Sequence, residues 1–347
     1  MLTPDFSRFR SSHRFRLFLC AALGASGLLG ACQSRQAPAD APATPPVGHY
    51  QGGLTPAGQP ELRAALDIRH PRPGHYEAEL TVPGAPALSF VADTMLLAGR
   101  QLRLVRPARP GQTLTLTLDG DFWRGTLAVD SAQVPLILLK RGVPDPSAYR
   151  VQPQPQVGGP AWLFAPTDTD TPGAALALLP DAATAPTAAL WADALAREGI
   201  IVLLLPPADS AGEPARLLTA LHQLRTTAGV DTANVGVWAT GRRAMALLVP
   251  ASLPRAAFWV LQNPAVTAGS KAAFHELRNR RLPVLGLCSG ANAAPVAAAL
   301  RSVAAGRRGS TVRSYRSAGP DLLVPTPLGP QFAPGLPGEV VAWFRSR

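Results

Sequence analysis

Apolar and polar residues alternate along the stretch from residue 48 to residue 141. In the clearest run, Leu114, Leu116 and Leu118 are separated by threonines. A period of two is typical of strands that rest one face on a core and turn the other toward water. The dipeptide Asp119-Gly120 between two such runs predicts a hairpin turn. We therefore predict about eight short strands, folded as a small antiparallel sandwich or barrel.

The pattern changes after residue 159, where short apolar runs alternate with helical patterns. Strands are predicted at 162–165, 175–179, 200–205, 235–238, 257–261, 284–287 and 312–315. Helices are predicted at 187–198, 213–227, 242–253, 271–280, 293–304 and 339–344. Strands that alternate with helices at this spacing form a mainly parallel sheet with helices on both faces. The predicted fold class is therefore α/β, preceded by the small all-β domain.

Two proline-rich segments divide the chain. Residues 142–158 are interpreted as a linker between a β domain, 48–141, and an α/β domain, 159–347, because proline cannot donate to a sheet ladder and restricts its neighbours. Residues 33–47 form a second segment, rich in proline and alanine, which we interpret as a tether.

The first 32 residues have the layout of an export signal, with an arginine-rich start and an apolar stretch that ends near Leu29. The apolar stretch is about 13 residues long, shorter than the roughly 20 of a spanning helix, so we predict no transmembrane helix. The closing Leu29-Gly30-Ala31-Cys32 resembles the lipobox of bacterial lipoproteins. That resemblance implies a signal peptide, 1–32, and a lipid attached to Cys32 as the mature N-terminus. A plain cleaved signal with an incidental cysteine is the alternative.

The lipobox resemblance also implies a cellular location for the protein. Gln33 rather than aspartate follows the cysteine, and by similarity to the sorting rules of some bacteria this favours the outer membrane. We expect an exported protein, anchored to a bacterial membrane through Cys32 and facing the periplasm or the cell surface.

The amino-acid composition limits the kinds of ligand and partner that we expect for this chain. Hydrophobic residues make up 47% of the chain, and the formal net charge is +11. No arginine stripe interleaves with aromatic residues, so we expect no nucleic-acid partner. Cys288 is the one cysteine beyond the leader, so an intramolecular disulfide is not expected, and it is interpreted as a small buried apolar residue. His49, His70 and His75 have no ligand spacing, so we predict neither metal nor cofactor.

Three segments of the α/β domain are similar to the α/β-hydrolase family: 192–202, 230–238 and 282–287. The β domain resembles the one that precedes the hydrolase in some bacterial esterase-like proteins, through 48–54, 122–127 and 134–141. The resemblance implies an α/β-hydrolase sheet, with a nucleophilic serine, an acid and a histidine in that chain order.

The residues at the implied catalytic positions do not fit that chemistry. The run Ala239-Thr240-Gly241-Arg242-Arg243 stands where the family has its serine turn, with Gly241 in the place of the serine. Asn292 stands for the acid, Pro320 for the histidine, and Pro180-Asp181 follows the strand that would supply oxyanion donors. We therefore expect a degenerate triad at Gly241, Asn292 and Pro320.

The first functional hypothesis is an inactive, esterase-like lipoprotein that binds an unknown small-molecule or envelope ligand, or has a structural role. Two alternatives stay open. One is an active carboxylic ester hydrolase in which Thr240, Ser289, Asp321 or His275 converge. The other is a protein that binds envelope carbohydrate through its β domain. Arg242 and Arg243 lie at a predicted helix start, where the helix dipole is positive, so they are candidate anion contacts.

Overall fold

The computed structural model describes residues 44–92, 94–156, 159–207, 212–248, 254–268, 270–304, 309–327 and 329–347. The predicted signal peptide, Cys32, and the predicted tether up to residue 43 lie outside the described residues, so the expectations about them stay predictions. Within the described part of the chain, no helix has the length and apolar character needed to cross a membrane.

The β domain is one antiparallel sheet of nine strands, in the order β4-β3-β2-β1-β9-β8-β7-β6-β5. Its strands are β1 (Gly48–Leu54), β2 (Leu62–Arg72), β3 (His75–Thr81), β4 (Phe90–Val91), β5 (Thr94–Ala98), β6 (Gln101–Arg106), β7 (Arg109–Asp119), β8 (Phe122–Val129) and β9 (Ala132–Gly142). The edge strands β4 and β5 are consecutive in the chain, so the two ends of the sheet meet and the sheet curls as in a barrel. Alternate residues, among them Leu114 and Leu116, fill a shared core. The predicted antiparallel sheet is thus confirmed.

The α/β domain is built on a sheet of eight strands in the order β10-β11-β13-β12-β14-β15-β16-β17. The strands are β10 (Tyr149–Gln154), β11 (Ala161–Pro166), β12 (Gly173–Leu179), β13 (Ile201–Leu204), β14 (Val230–Thr240), β15 (Trp259–Gln262), β16 (Val284–Ser289) and β17 (Thr311–Tyr315). β11 is antiparallel to both of its neighbours, and β12 to β17 are mutually parallel. The mainly parallel sheet is therefore confirmed.

One strand lies where the sequence predicted a linker. β10 falls within 142–158 and pairs with β11 along its whole length. β10 is an edge strand, and Pro153 is tolerated there because an edge strand leaves part of its hydrogen-bonding potential unused. The proline content that suggested a linker is therefore compatible with a strand.

Helices cover both faces of this sheet, as predicted. They are α1 (Ala188–Arg197), α2 (Glu213–Thr226), α3 (Gly241–Leu247), α4 (Lys271–Asn279), α5 (Ala293–Ala304) and α6 (Gly338–Arg345). Helices α2 to α5 share one core with the sheet, and α1 and α6 share the other. A short pair, β18 (Leu323–Val324) and β19 (Gln331–Phe332), follows β17.

The two sheets belong to one compact unit, Pro42–Arg347. Buried polar groups join them. The Arg106 guanidinium, 1% exposed, donates to the carboxylate of Asp193 and to the carbonyl of Ala87. The Tyr149 hydroxyl donates to the other oxygen of Asp193 at 2.7 Å. Burial raises the pKa of Asp193, while Arg106 opposes that rise. These bonds satisfy charges that would otherwise be costly to bury.

Candidate functional site

The predicted catalytic positions lie at the carboxyl edge of the α/β sheet, where the parallel strands end. Thr240 ends β14, Ser289 ends β16, and Asp181 and Asn263 follow β12 and β15. Because parallel strands share one direction, these ends lie side by side, and ligands of open α/β sheets bind at such edges. The carboxyl edge is therefore where a site would be built.

Gly241 lies at the sharp turn from β14 into α3, with a φ of +48°. Glycine adopts this left-handed conformation at low cost, whereas a residue with a Cβ is strained there. A Cβ at this position would also lie 2.1 Å from Oδ2 of Asp181. The Asp181 side chain therefore occupies the space into which a side chain at position 241 would extend.

The hydroxyl of Thr240 is bound to the loop after β12 rather than open to a substrate. Thr240 is 2% exposed. Its Oγ1 accepts a hydrogen bond from the backbone N–H of Asp181 at 2.6 Å and lies 3.0 Å from Oγ1 of Thr184. The carboxylate of Asp181 in turn accepts from the backbone N–H and the hydroxyl of Thr184. The N–H of Asp181, which stands where an oxyanion donor is expected, is thus already used.

Arg243 points into the protein and pairs with Glu213. Its Nε and Nη2 donate to the two carboxylate oxygens of Glu213 at 2.7 and 2.9 Å, in a bidentate pair. Its Nη1 donates to the carbonyls of Pro180 and Leu205 at 2.9 and 2.6 Å. Burial lowers the pKa of Arg243, and the Glu213 carboxylate opposes that shift. The anion at this helix start is therefore Glu213, a partner that the sequence did not identify. Arg242 is exposed, and an anion contact there stays a prediction.

The loop that contains Pro320 is fixed to the end of β15 by side-chain amides. The carbonyl of Pro320 accepts from Nε2 of Gln262 at 2.7 Å and from Nδ2 of Asn263 at 3.0 Å. Oε1 of Gln262 accepts from the indole N–H of Trp238 at 2.9 Å. The next residue, Asp321, accepts from the hydroxyl of Thr187. Pro320, where the resemblance implies a histidine, is thus itself held by uncharged side-chain amides.

In the part of the chain that the structure describes, no side-chain hydrogen bond joins the other residues that the sequence analysis considered for catalysis to one another. Asn292 is exposed in the turn before α5. Oγ of Ser289 accepts from Nδ2 of Asn263 at 2.8 Å. His275 is exposed on α4 and lies 2.9 Å from the guanidinium of Arg278 on the same helix. Cys288 is buried, and burial raises the pKa of its thiol to about 11.

The sequence analysis did not identify one cluster, which joins two β-domain residues to Asp145 in the segment that follows the domain. Nδ1 of His49 lies 2.7 Å from Oδ1 of Asp67 and 4.0 Å from Oδ2 of Asp145. The three donor atoms suit a divalent cation. However, the guanidinium of Arg69 lies 3.7 Å from Oδ2 of Asp67 and opposes a second cation there. His49 and Asp67 face each other across β1 and β2. The spacing of residues along one strand does not reveal such a pair. It could have been predicted only from the register in which β1 and β2 pair.

No protein-family model and no curated protein matches this chain. Among solved structures, the chain is similar to a proposed dienelactone hydrolase from Klebsiella pneumoniae subsp. pneumoniae, with 15% identity and a TM-score of 0.37 over 50% of this chain and 87% of that one. An ester hydrolase from the metagenome of Lake Arreo, in complex with a bipyridine phosphonate derivative, gives 14% identity and a TM-score of 0.35 over 50% and 75% of the two chains.

A third similar structure is a serine-to-alanine mutant of an α/β hydrolase, also from the Lake Arreo metagenome. It aligns with 14% identity and a TM-score of 0.35, over 49% of this chain and 74% of that one. At these scores the likenesses carry no argument about the activity of this chain.

Proposed function

We propose that this chain is a lipid-anchored, exported protein with an α/β-hydrolase-like domain that does not catalyse ester hydrolysis and has a binding or structural role. The scaffold is supported by the parallel sheet with helices on both faces and by the positive φ at the turn that starts α3. A strand that ends in a strained turn before a helix is the local geometry of the nucleophile position in α/β hydrolases.

The observation that carries the proposal is the occupied space at Gly241. Acyl transfer needs a hydroxyl or thiol at the turn, a base to take its proton, and donors for the oxyanion. Position 241 supplies no nucleophile, and the Asp181 carboxylate fills the space beside it. The nearest hydroxyl, that of Thr240, is buried and hydrogen-bonded to Asp181 and Thr184. A negative carboxylate in this position also disfavours the oxyanion that forms during ester hydrolysis.

Hydrolysis of short-chain p-nitrophenyl esters tests the inactivity. We expect residues 33–347 to show no turnover above that of the Thr240→Val variant, because the proposal assigns the Thr240 hydroxyl no part in chemistry. A turnover that the Thr240→Val or Ser289→Ala substitution abolishes, in protein that still folds, would establish the alternative of an active esterase with unconventional residues.

The lipid anchor rests on the lipobox resemblance around Cys32 and is tested separately. Metabolic labelling with a radioactive fatty acid is expected to mark the exported chain and to be lost in Cys32→Ala. The matched control is Cys20→Ala, which removes the other cysteine of the leader and is expected to keep the label. Labelling that survives in Cys32→Ala contradicts the anchor.

A further inference from the structure

A cluster of arginines lies at the amino edge of the α/β sheet, opposite the carboxyl edge. Helices α2, α4 and α5 pack on the same face of the sheet. Each of them precedes a parallel strand, so each runs back along the sheet and ends at the amino edge. Arg225 and Arg278 lie in the last turns of α2 and α4. Arg255, Arg280 and Arg281 lie in the segments that lead into β15 and β16. We name these five residues the arginine corner.

The side chains of the arginine corner are largely turned toward solvent. Four of the five are exposed, and Arg225 is half-buried. The Arg225 guanidinium donates to the carbonyl of Arg255, which places these two segments in contact. β15 and β16 are neighbouring strands, so the segments before them lie about 5 Å apart. The five guanidinium groups are therefore gathered on one corner of the domain.

Carboxylates lie at the same edge, among them Asp168 and Asp170 in the loop before β12, where a Cβ at Gly229 would lie 2.9 Å from the side chain of Thr169. Glu276 on α4 lies 2.6 Å from Nε of Arg280. Asp231, at the start of β14, accepts a hydrogen bond from the backbone N–H of Ala233. The helix C-termini contribute partial negative charge, which one cation in each last turn offsets. Arg255 and Arg281 lie outside the helices, and neither forms an ion pair with a described residue.

Arg281 occupies a backbone position that favours glycine. Its φ is +58°, in the left-handed region. The N–H groups of Arg281 and Leu282 donate to the carbonyls of Arg278 and Leu277, the bonding pattern that closes a helix after its last turn. Glycine is the usual residue at this position because it has no Cβ. The chain instead has an exposed cation there.

The start of β1, Gly48, lies toward the same edge. β10 is parallel to β13, so its first residue, Tyr149, lies at the amino edge. Nδ1 of His49 lies 4.0 Å from Oδ2 of Asp145, and the four residue steps from Asp145 to Tyr149 span at most about 14 Å. The start of β1 is therefore near the amino edge. β10 and β15 are five strand spacings apart, or about 24 Å.

We propose that the arginine corner docks on an anionic phospholipid bilayer. This inference rests on the lipid anchoring at Cys32 proposed above. Residues 33–47 extend to at most about 50 Å, so a lipid at Cys32 keeps the amino edge within reach of headgroup phosphates. Clustered arginines attract such a surface strongly, and the attraction falls with salt. The carboxyl edge with Gly241 then faces away from the membrane.

Co-sedimentation with vesicles tests the proposal in the absence of the lipid anchor. Residues 33–347 contain every helix and strand of the described structure and are used without the acylated cysteine. We expect binding to phosphatidylcholine vesicles that contain about one third phosphatidylglycerol, and a much weaker association with phosphatidylcholine alone. The double variant Arg255→Gln/Arg281→Gln is expected to reduce the partition coefficient about 30-fold.

Two further variants separate docking from other effects. Arg63→Gln/Arg103→Gln removes the same charge from exposed positions of the β domain and is expected to change binding little. Arg281→Gly relieves the left-handed strain, so it is expected to weaken binding while it leaves the melting temperature equal or raised. A variant that is merely destabilised would show both weaker vesicle binding and a lower melting temperature.

Three results overturn the proposal: equal losses in the two double variants, binding that ignores the lipid charge, or binding to inorganic polyphosphate without binding to anionic vesicles. Fatty-acid labelling at Cys32 is read out independently. If Cys32 takes up no fatty acid but the protein still binds anionic vesicles, the lipid anchor is refuted and the docking surface is not. If Cys32 is labelled but the protein does not bind anionic vesicles, only the docking surface is refuted.

Discussion

Removal of the Glu213 carboxylate is expected to be one of the most damaging single changes at the carboxyl edge. The side chains of Arg243 and Glu213 are 7% and 8% exposed. In Glu213→Gln, the guanidinium stays buried without a counter-charge. Arg216 lies 3.7 Å from Oε1 of Glu213, so the variant leaves two neighbouring cations without their shared carboxylate. Glu213 also lies in the first turn of α2, where a negative charge interacts favourably with the helix dipole.

The magnitude follows from the broken bonds. Two charge-assisted hydrogen bonds contribute about 1.5–3 kcal/mol each, and breaking one side of a buried pair costs about 3–5 kcal/mol in the free energy of unfolding. We expect a loss in that range for Glu213→Gln, measured by urea unfolding with tryptophan fluorescence. The double variant Glu213→Leu/Arg243→Met removes this pair of charges and is expected to recover only part of the loss, because Arg216 stays buried without the carboxylate.

The pair Glu276 and Arg280 provides a matched control. Its carboxylate and Nε are also close, at 2.6 Å, but both side chains are partly exposed. Glu276→Gln is expected to cost less than about 1 kcal/mol because water screens the pair. A loss below about 1 kcal/mol for Glu213→Gln would refute the interpretation of Arg243 as an internal structural cation. Arg243 would then be available for an external anion.

Three further predictions follow from the same structure. Burial, followed in effect by the charge of Asp193, raises the pKa of Tyr149 well above 10.0. The neutral Tyr149 hydroxyl therefore stabilises the fold below about pH 10, and this stabilisation is lost as the pH rises further. In Tyr149→Phe, the free energy of unfolding should fall less steeply with alkaline pH, by up to about 1.4 kcal/mol per pH unit, which corresponds to one proton. The buried Cys288 thiol, with a pKa of about 11, should resist iodoacetamide at pH near 8 in the native protein and react fully in urea, as mass spectrometry would show; rapid native labelling would contradict its burial. Gly241→Ser should lower the free energy of unfolding by about 1–2 kcal/mol, because the serine meets both the positive φ and the Asp181 carboxylate, whereas unchanged stability in urea unfolding would show that Asp181 moves aside freely.

The periodicity of the sequence was sufficient to predict both sheets. The alternation around Leu114 and Leu116 specifies an inward and an outward face in the β domain, whatever the strand order. The alternation of strands and helices after residue 159 implies parallel crossovers in the same way. β10 was missed because Pro153 argues against a strand in the interior of a sheet but not at its edge.

Only part of the candidate site could be predicted from the sequence. The resemblance around Gly241 led to the prediction of a missing nucleophile, and this stays a prediction. However, the group that fills the space beside Gly241 comes from Asp181, and the Thr240 hydroxyl binds the Asp181 N–H across a separation of 59 residues. The Glu213 partner of Arg243 is 30 residues away. Contacts of this kind depend on the strand order β13-β12-β14, which local patterns do not encode.

We propose that no hydroxyl or thiol of this chain is activated for acyl transfer. The most direct measurement is intact-mass spectrometry of residues 33–347 after incubation with a fluorophosphonate, which phosphonylates activated serine and threonine hydroxyls. We expect an unchanged mass in the native protein over many hours. A stoichiometric adduct that maps to one residue, Thr240 or Ser289 above all, would contradict it.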